Sequence, residues 1–65
     1  MPFPENGEKI RRFIKARGFT QARFASLLGV EERSLRKMLH NGVYDVRVLL
    51  KMAAILSCRA TDLFP

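Results

Sequence analysis

Two arginines and a lysine, Arg33, Arg36 and Lys37, fall within about one turn of a helix. Leu35 and Leu39 recur at the spacing of a second face, and burial of that face presents the three basic side chains to solvent. Guanidinium and ammonium groups donate hydrogen bonds to guanine O6 and N7 and to phosphate oxygens. The spacing therefore predicts a helix whose exposed face can bind nucleic acid.

Two carboxylates begin the same predicted helix. Glu31 lies where the helix dipole is positive, which is favourable. Glu32 precedes Arg36 by four residues, so the two can form an ion pair, or Glu32 can accept a hydrogen bond from cytosine N4. Carboxylates that face a phosphate backbone are unfavourable, so Glu31 and Glu32 also leave open a domain whose main partner is a protein.

The overall charge favours an anionic partner. The chain has 65 residues, with 12 Lys and Arg against 6 Asp and Glu, a formal net charge of +6. Basic domains bind polyanions, with nucleic acid ahead of acidic lipid surfaces. Four basic residues of the first predicted helix are interpreted as a solvated face that steers such a partner to the domain: Arg11, Arg12, Lys15 and Arg17.

Catalytic and metal chemistry find little support in the residue types. His40 and Cys58 are the single histidine and the single cysteine. No disulfide can form within the chain, no zinc site can close, and no nucleophile has a paired base. We therefore expect no enzymatic activity, no cofactor, no metal and no small-molecule substrate.

Length and terminal composition set further expectations. Residues 1–65 are enough for one domain. The longest apolar run, residues 52–56, is too short to span a membrane, so we expect no membrane partner. Residues 1–5 lack the basic and apolar regions of a signal peptide, and Pro2 and Pro4 predict an extended start. The expected location is the cytoplasm, where a lone thiol stays reduced.

Apolar spacing and capping residues predict five short helices and no strand. The first is expected over about residues 5–17, ended by Gly18 in a left-handed cap. Thr20 caps the second, and Gly29 supplies the turn to the third. The second helix is expected to bury Phe24, Ala25 and Leu28.

The third helix is expected over about 32–40, before Asn41-Gly42, and Asp45 caps a fourth that runs to about residue 57. A last turn covers 61–64. The fourth helix buries a stripe of Leu49, Met52, Ala53 and Leu56. Val48 and Ile55 lie outside that stripe, so they either widen the core or form a surface for self-pairing.

These elements resemble the Cro/repressor type of helix-turn-helix, the XRE-like family, over about Gly7 to Phe64. The matching motifs are Gly18, Thr20-Gln21, Phe24-Ala25, Gly29-Val30, Leu35, Asn41-Gly42 and the tail from Leu49-Leu50-Lys51-Met52-Ala53 through Leu56 to Asp62-Leu63-Phe64. The resemblance implies an all-α, compact, lambda-repressor-like bundle of five short helices, with the helix-turn-helix in helices 2 and 3.

The resemblance also implies roles for individual residues. Gln21 would bind a phosphate or brace helix 3, Ser34 would touch a base or a phosphate, and His40 and Asn41 would meet the DNA backbone. The outward positions of the recognition helix would be filled by the acidic and basic residues described above. The expected DNA-binding residues are then Gln21, Glu32, Arg33, Ser34, Arg36, Lys37, His40 and Asn41.

The resulting hypothesis is a sequence-specific transcriptional regulator, a repressor, that reads the major groove of double-stranded DNA with helix 3. One short helix reads few base pairs, so we expect a homodimer on an inverted repeat. The alternative is a helix-turn-helix protein-interaction module, antitoxin-like or scaffolding, with weak or no specific DNA binding. Glu31, Glu32 and the loop Val43-Tyr44-Asp45, which has no basic side chain, favour the alternative.

Overall fold

Four α-helices and a short 3₁₀ helix follow one another in this computed structural model, which describes residues 5–64. The elements are α1 (Glu5–Ala16), α2 (Gln21–Leu28), α3 (Glu32–Asn41), α4 (Val46–Leu56) and the 3₁₀ helix Ala60–Leu63. Residues 5–64 contain no strand, and none of their helices is long and apolar enough to cross a membrane. The all-α prediction is confirmed, but the fifth predicted helix is a single 3₁₀ turn. The extended start expected at Pro2 and Pro4 lies outside the described residues.

Local sequence signals set the ends of the helices. The Thr20 hydroxyl accepts a hydrogen bond from the N–H three residues later at 3.0 Å, and the Asp45 carboxylate accepts one from the N–H two residues later at 2.9 Å. Gly18 and Gly29 have left-handed φ values of +81° and +87°, which residues with a Cβ rarely adopt. These two caps and two glycine turns confirm the prediction. Helix α4 ends at Leu56, one residue earlier than expected, because Ser57 adopts a left-handed conformation as its C-cap.

All four α-helices and the 3₁₀ helix contribute to one hydrophobic core. Its buried members are Ile10, Ile14, Phe24, Ala25, Leu28, Leu35, Leu39, Val43, Leu49, Met52, Ala53, Leu56 and Leu63. Val48 and Ile55 are partly buried against this cluster, so they widen the core, which is one of the two outcomes that the sequence analysis left open. Helix α4 packs against both α2 and the 3₁₀ helix. Because two elements cover it, the buried side of α4 is wider than the stripe of Leu49, Met52, Ala53 and Leu56. The exposed large apolar side chains of α4 are Val46 and Leu50.

The first turn of α1 holds the loop that follows α3. Asn6 is fully buried; its Nδ2 donates to the Val43 carbonyl, and its Oδ1 accepts from the Val43 N–H at 3.1 Å. Next to Asn6, a Cβ built on Gly7 would overlap the carbonyl oxygen of Leu39. Helices α1 and α3 can therefore approach this closely only because residue 7 has no side chain.

A basic side chain of α1 and another just after its end bind the C-terminal part of the chain. Lys9 Nζ donates to the Phe64 carbonyl at 2.9 Å, and Arg17 Nε donates to the Leu56 carbonyl at 2.7 Å. The Arg17 guanidinium also lies 5.7 Å from the centroid of the Phe13 ring. Arg17 is exposed, as the sequence analysis expected, but its side chain also contributes to the fold. The last carbonyls of α4 lack partners within the helix, and the Arg17 side chain supplies one.

We expect Asn6→Ala to lower the free energy of unfolding by about 2–4 kcal/mol, because it leaves the N–H and the carbonyl of Val43 buried without partners. Urea unfolding followed by circular dichroism measures this loss. Asn41→Ala is the matched control, since Asn41 is exposed at the end of α3, and it should cost less than about 1 kcal/mol. Equal losses in the two variants would contradict the role of Asn6.

Burial raises the pKa of the Cys58 thiol; the Asp62 carboxylate adds to the rise and Arg17 opposes it. A thiol whose pKa is higher in the folded state contributes stability below its unfolded pKa of about 8.5, and this stability is lost as the pH rises through the folded pKa. We therefore expect the urea midpoint to fall above about pH 8.5 and Cys58→Ala to reduce that fall. The same pH dependence in both proteins would show that Cys58 does not contribute to it.

Candidate nucleic-acid interface

Helix α3 buries one face and exposes the other, as its sequence predicts. Leu35 and Leu39 are buried in the core, where α3 packs against α1 and α2. The seven α3 positions that were predicted to bind DNA are all exposed: Glu32, Arg33, Ser34, Arg36, Lys37, His40 and Asn41. The helix therefore presents a continuous polar face that is held from behind by apolar contacts.

Ion pairing divides the charged side chains of this face into two groups. Arg36 Nη1 lies 3.8 Å from Glu32 Oε2, which confirms that these two residues can pair. Among the side chains that the structure describes, no carboxylate lies within ion-pair distance of Arg33 or Lys37. Within the described part of the chain, the positive charges of Arg33 and Lys37 are therefore not balanced by an ion pair.

The N-terminal end of α3 is acidic. Glu31 occupies the N-cap position in an extended conformation, and its side chain forms no capping hydrogen bond; Glu32 follows in the first turn. A phosphate placed at this helix end would meet two carboxylates, whereas a phosphate or base edge further along the helix would meet Arg33 and Lys37. The charge distribution therefore disfavours the helix terminus as an anion site and favours the middle of α3.

The eighth predicted site residue, Gln21, is the first residue of α2 and is half-buried. It lines an open groove of about 250 Å³ where α1 meets the start of α2, and Arg11, Lys15, Ile14 and Phe19 form the rest of the lining. None of the seven α3 residues borders this groove. The structure thus groups Gln21 with Arg11 and Lys15, two residues that the sequence analysis had assigned only to steering.

Residues 5–64, the part of the chain that the structure describes, contain potential metal ligands and buried polar groups. No three His, Cys, Asp or Glu side chains of residues 5–64 are grouped so that they could hold a metal ion. Each buried polar side-chain atom in this part of the chain also has a hydrogen-bond partner within the protein.

Sequence reasoning missed Asn6 and Gly7, the two residues that fix α1 against the end of α3. Both are poor helix formers, and they stand together in the first turn of a segment that is otherwise a good helix. This local conflict between propensity and structure was the available signal, because a residue of low propensity in a helix often has a packing role.

Comparison with known proteins identifies one family. A family model described as the Cro/C1-type HTH DNA-binding domain matches residues 9–65 of the chain. No curated protein matches the chain, and no solved structure matches it.

We expect Glu32→Gln and Arg36→Gln each to change the free energy of unfolding by less than about 1 kcal/mol, because an exposed ion pair is screened by water. Urea unfolding of the two single variants and of the double variant measures the pair directly. A coupling energy above about 2 kcal/mol would contradict this expectation and would make the pair a structural element of α3.

Proposed function

The chain belongs to the Cro/C1-type helix-turn-helix DNA-binding family, and from this premise we propose that it is a sequence-specific transcriptional repressor that acts in the cytoplasm. In this proposal residues 1–65 form one DNA-binding domain, and α3 enters the major groove. The observation that carries the proposal is the exposure of Arg33 and Lys37 on α3 without a carboxylate partner among the described side chains.

The residues of α3 have different roles in the proposed complex. Arg33 and Lys37 bond the O6 and N7 atoms of guanine, which is the commonest specific contact in the major groove. Arg36 is held 3.8 Å from Glu32, so the pair acts as one unit: Glu32 accepts from cytosine N4 while Arg36 lies beside it or on a neighbouring phosphate. Ser34, also exposed, adds a small donor to a base or to a phosphate.

Contacts to the DNA backbone fix the position of α3 in the groove. Gln21, with Arg11 and Lys15 around the same groove, binds a phosphate at the start of α2, where the backbone N–H groups and the helix dipole favour an anion. His40 and Asn41 are exposed at the other end of α3 and reach the backbone there. These contacts supply affinity and register, whereas the base contacts supply sequence preference.

Two copies of the domain bind one operator in this proposal. A single recognition helix covers few base pairs, so two helices spaced by one DNA turn, about 34 Å, are needed for adequate specificity. The side chains that the sequence analysis considered for self-pairing, Val48 and Ile55, are partly buried against the core. We therefore infer a homodimer that assembles on an inverted repeat of half-sites and is weak without DNA.

One observation favours the second candidate function, a protein-interaction module. Glu31 and Glu32 place two carboxylates at the N-terminus of α3, where many DNA-reading helices approach the backbone. Salt dependence separates the two functions. A protein that binds DNA through phosphates loses affinity steeply as the salt concentration rises. The affinity for a protein partner held by apolar contacts falls much less over the same range.

We expect Arg33→Ala and Lys37→Ala each to weaken binding to the selected operator by about 1–3 kcal/mol and to relax its base preference. Arg11→Ala is the matched control, because a phosphate contact weakens binding to all sequences about equally. The operator is first selected from random DNA, and fluorescence anisotropy then compares it with scrambled duplex at several salt concentrations. Equal losses on both duplexes for all three variants would contradict the assignment of α3 to base reading.

We expect the domain to bind a full inverted repeat cooperatively and to bind an isolated half-site more weakly in a one-to-one complex. Sedimentation of the protein with each duplex gives the stoichiometry. One copy on the full site, with the same affinity as on the half-site, would contradict the dimer and would leave the base-reading proposal to be judged by the α3 variants alone.

A further inference from the structure

The outer face of α4 carries an exposed apolar row. Val46 and Leu50 lie one turn apart and are each 53% exposed, and Ala54, one turn further on, is also exposed. Tyr44, two residues before α4, is 55% exposed. Three of the four large hydrophobic residues that are exposed in the described part of the chain therefore fall within residues 44–50, the fourth being Leu27. Isolated exposed apolar residues are ordinary, but a row of this kind marks a contact surface.

The core of the domain does not use this row. Leu49, Met52 and Leu56 fill the core from the opposite side of α4, and Val48 and Ile55 extend that packing. Helix α4 would therefore remain anchored if Val46 and Leu50 were polar. Packing within the domain therefore does not account for the apolar character of Val46 and Leu50.

A basic row runs beside the apolar row. Arg47 and Lys51 are exposed one turn apart, and Val46–Leu56 contains no Asp or Glu. Arg47 has an ion pair with Asp45 at 3.9 Å, but its side chain is 91% exposed, so the pair is loose and leaves donors for another carboxylate. The surface thus combines an apolar strip with two cations along one edge.

Charge argues against a second copy of this chain as the molecule that covers the face. In an antiparallel pair with Leu50 on the twofold axis, Arg47 of one copy would lie close to Lys51 of the other, and like charges would meet. In a parallel pair the basic rows would lie on opposite edges, and α4 has no acidic row to face them. Neither arrangement neutralises the two cations.

We propose that the outer face of α4, defined by Val46, Arg47, Leu50, Lys51 and Ala54, docks an amphipathic helix of a partner protein. The apolar side chains of that helix pack on Val46, Leu50 and Ala54, and a row of carboxylates along one edge faces Arg47 and Lys51. None of the residues proposed to bind DNA lies on α4. The partner therefore recognises the domain through a surface separate from the DNA-reading face, and this docking does not depend on the proposed function of α3.

The test uses a synthetic helical peptide of about 18 residues, long enough to be helical alone, with leucines at one-turn spacing and a flanking row of glutamates. A twin peptide carries glutamine in place of each glutamate. Titration of the 65-residue chain with each labelled peptide is followed by fluorescence anisotropy. We expect the acidic peptide to bind and the twin to bind about three- to tenfold more weakly, a difference that high salt removes.

Two leucine variants locate the contact. Leu50→Ser should weaken binding of the acidic peptide by about tenfold or more, because the variant loses an apolar contact that is buried in the complex with the peptide. Leu27→Ser is the matched control: Leu27 is 47% exposed on α2, and its loss should leave the affinity unchanged. Both side chains are exposed, so thermal unfolding should show that both variants remain folded.

Four results would overturn the proposal. The first would be a failure of the acidic peptide to bind. The second would be a loss of peptide affinity in Leu27→Ser as large as the loss in Leu50→Ser. The third would be self-association of the chain without peptide, seen by sedimentation and abolished by Leu50→Ser. That result would assign the face to a second copy. The fourth would be binding of the chain to vesicles of phosphatidylserine and phosphatidylcholine that depends on Leu50 and is not displaced by excess acidic peptide. That result would assign the face to a lipid surface.

Discussion

A single buried side chain, Asn6, holds the loop that follows α3 against the first turn of α1. Its amide hydrogen-bonds both backbone groups of Val43, which belongs to the loop between α3 and α4. This loop enters the core, where a backbone N–H or carbonyl without a partner is costly. The contact fixes the end of α3 to the start of α1, and Gly7 permits the close approach to the Leu39 carbonyl that this requires. Burial of Leu35 and Leu39 thus exposes the other face of α3, and the Asn6 contact fixes the C-terminal end of that helix against α1.

The basic side chains of the chain differ in the groups that they contact in the structure. Lys9 and Arg17 donate to carbonyl groups at the end of the chain and at the end of α4, so they contribute to the fold. Arg36 is balanced by a carboxylate on the same helix face. Arg33 and Lys37 have no such partner among the described side chains. The formal charge of +6 indicates attraction to a polyanion, and in the proposed function the unbalanced cations of α3 read the bases of that polyanion.

The domain is small, and its two proposed contact surfaces use different physical interactions. The α3 face is formed by polar and charged side chains with no large apolar side chain exposed among them, which suits hydrated base edges and phosphates. The outer face of α4 has apolar side chains bordered by cations, which suits a surface that excludes water and adds charge selectivity. Because each face lies on its own helix, a change in one affinity need not alter the other.

The sequence by itself determined the features that depend on residues close together in the chain. The caps at Thr20 and Asp45, the turn at Gly29 and the two faces of α3 were predicted, because each depends on side chains within a few residues of the backbone they bind or on helical spacing. The family resemblance followed from the same local motifs.

Tertiary structure decided the features that depend on where distant segments meet. Asn6 and Val43 are 37 positions apart, and Arg17 and Leu56 are 39 apart, so no local pattern indicated either contact. The burial of Val48 and the exposure of Leu50 depended on which sides of α4 were covered by α2 and the 3₁₀ helix. Helical periodicity shows that a helix has an apolar side, but the arrangement of its neighbours determines how wide the buried side is.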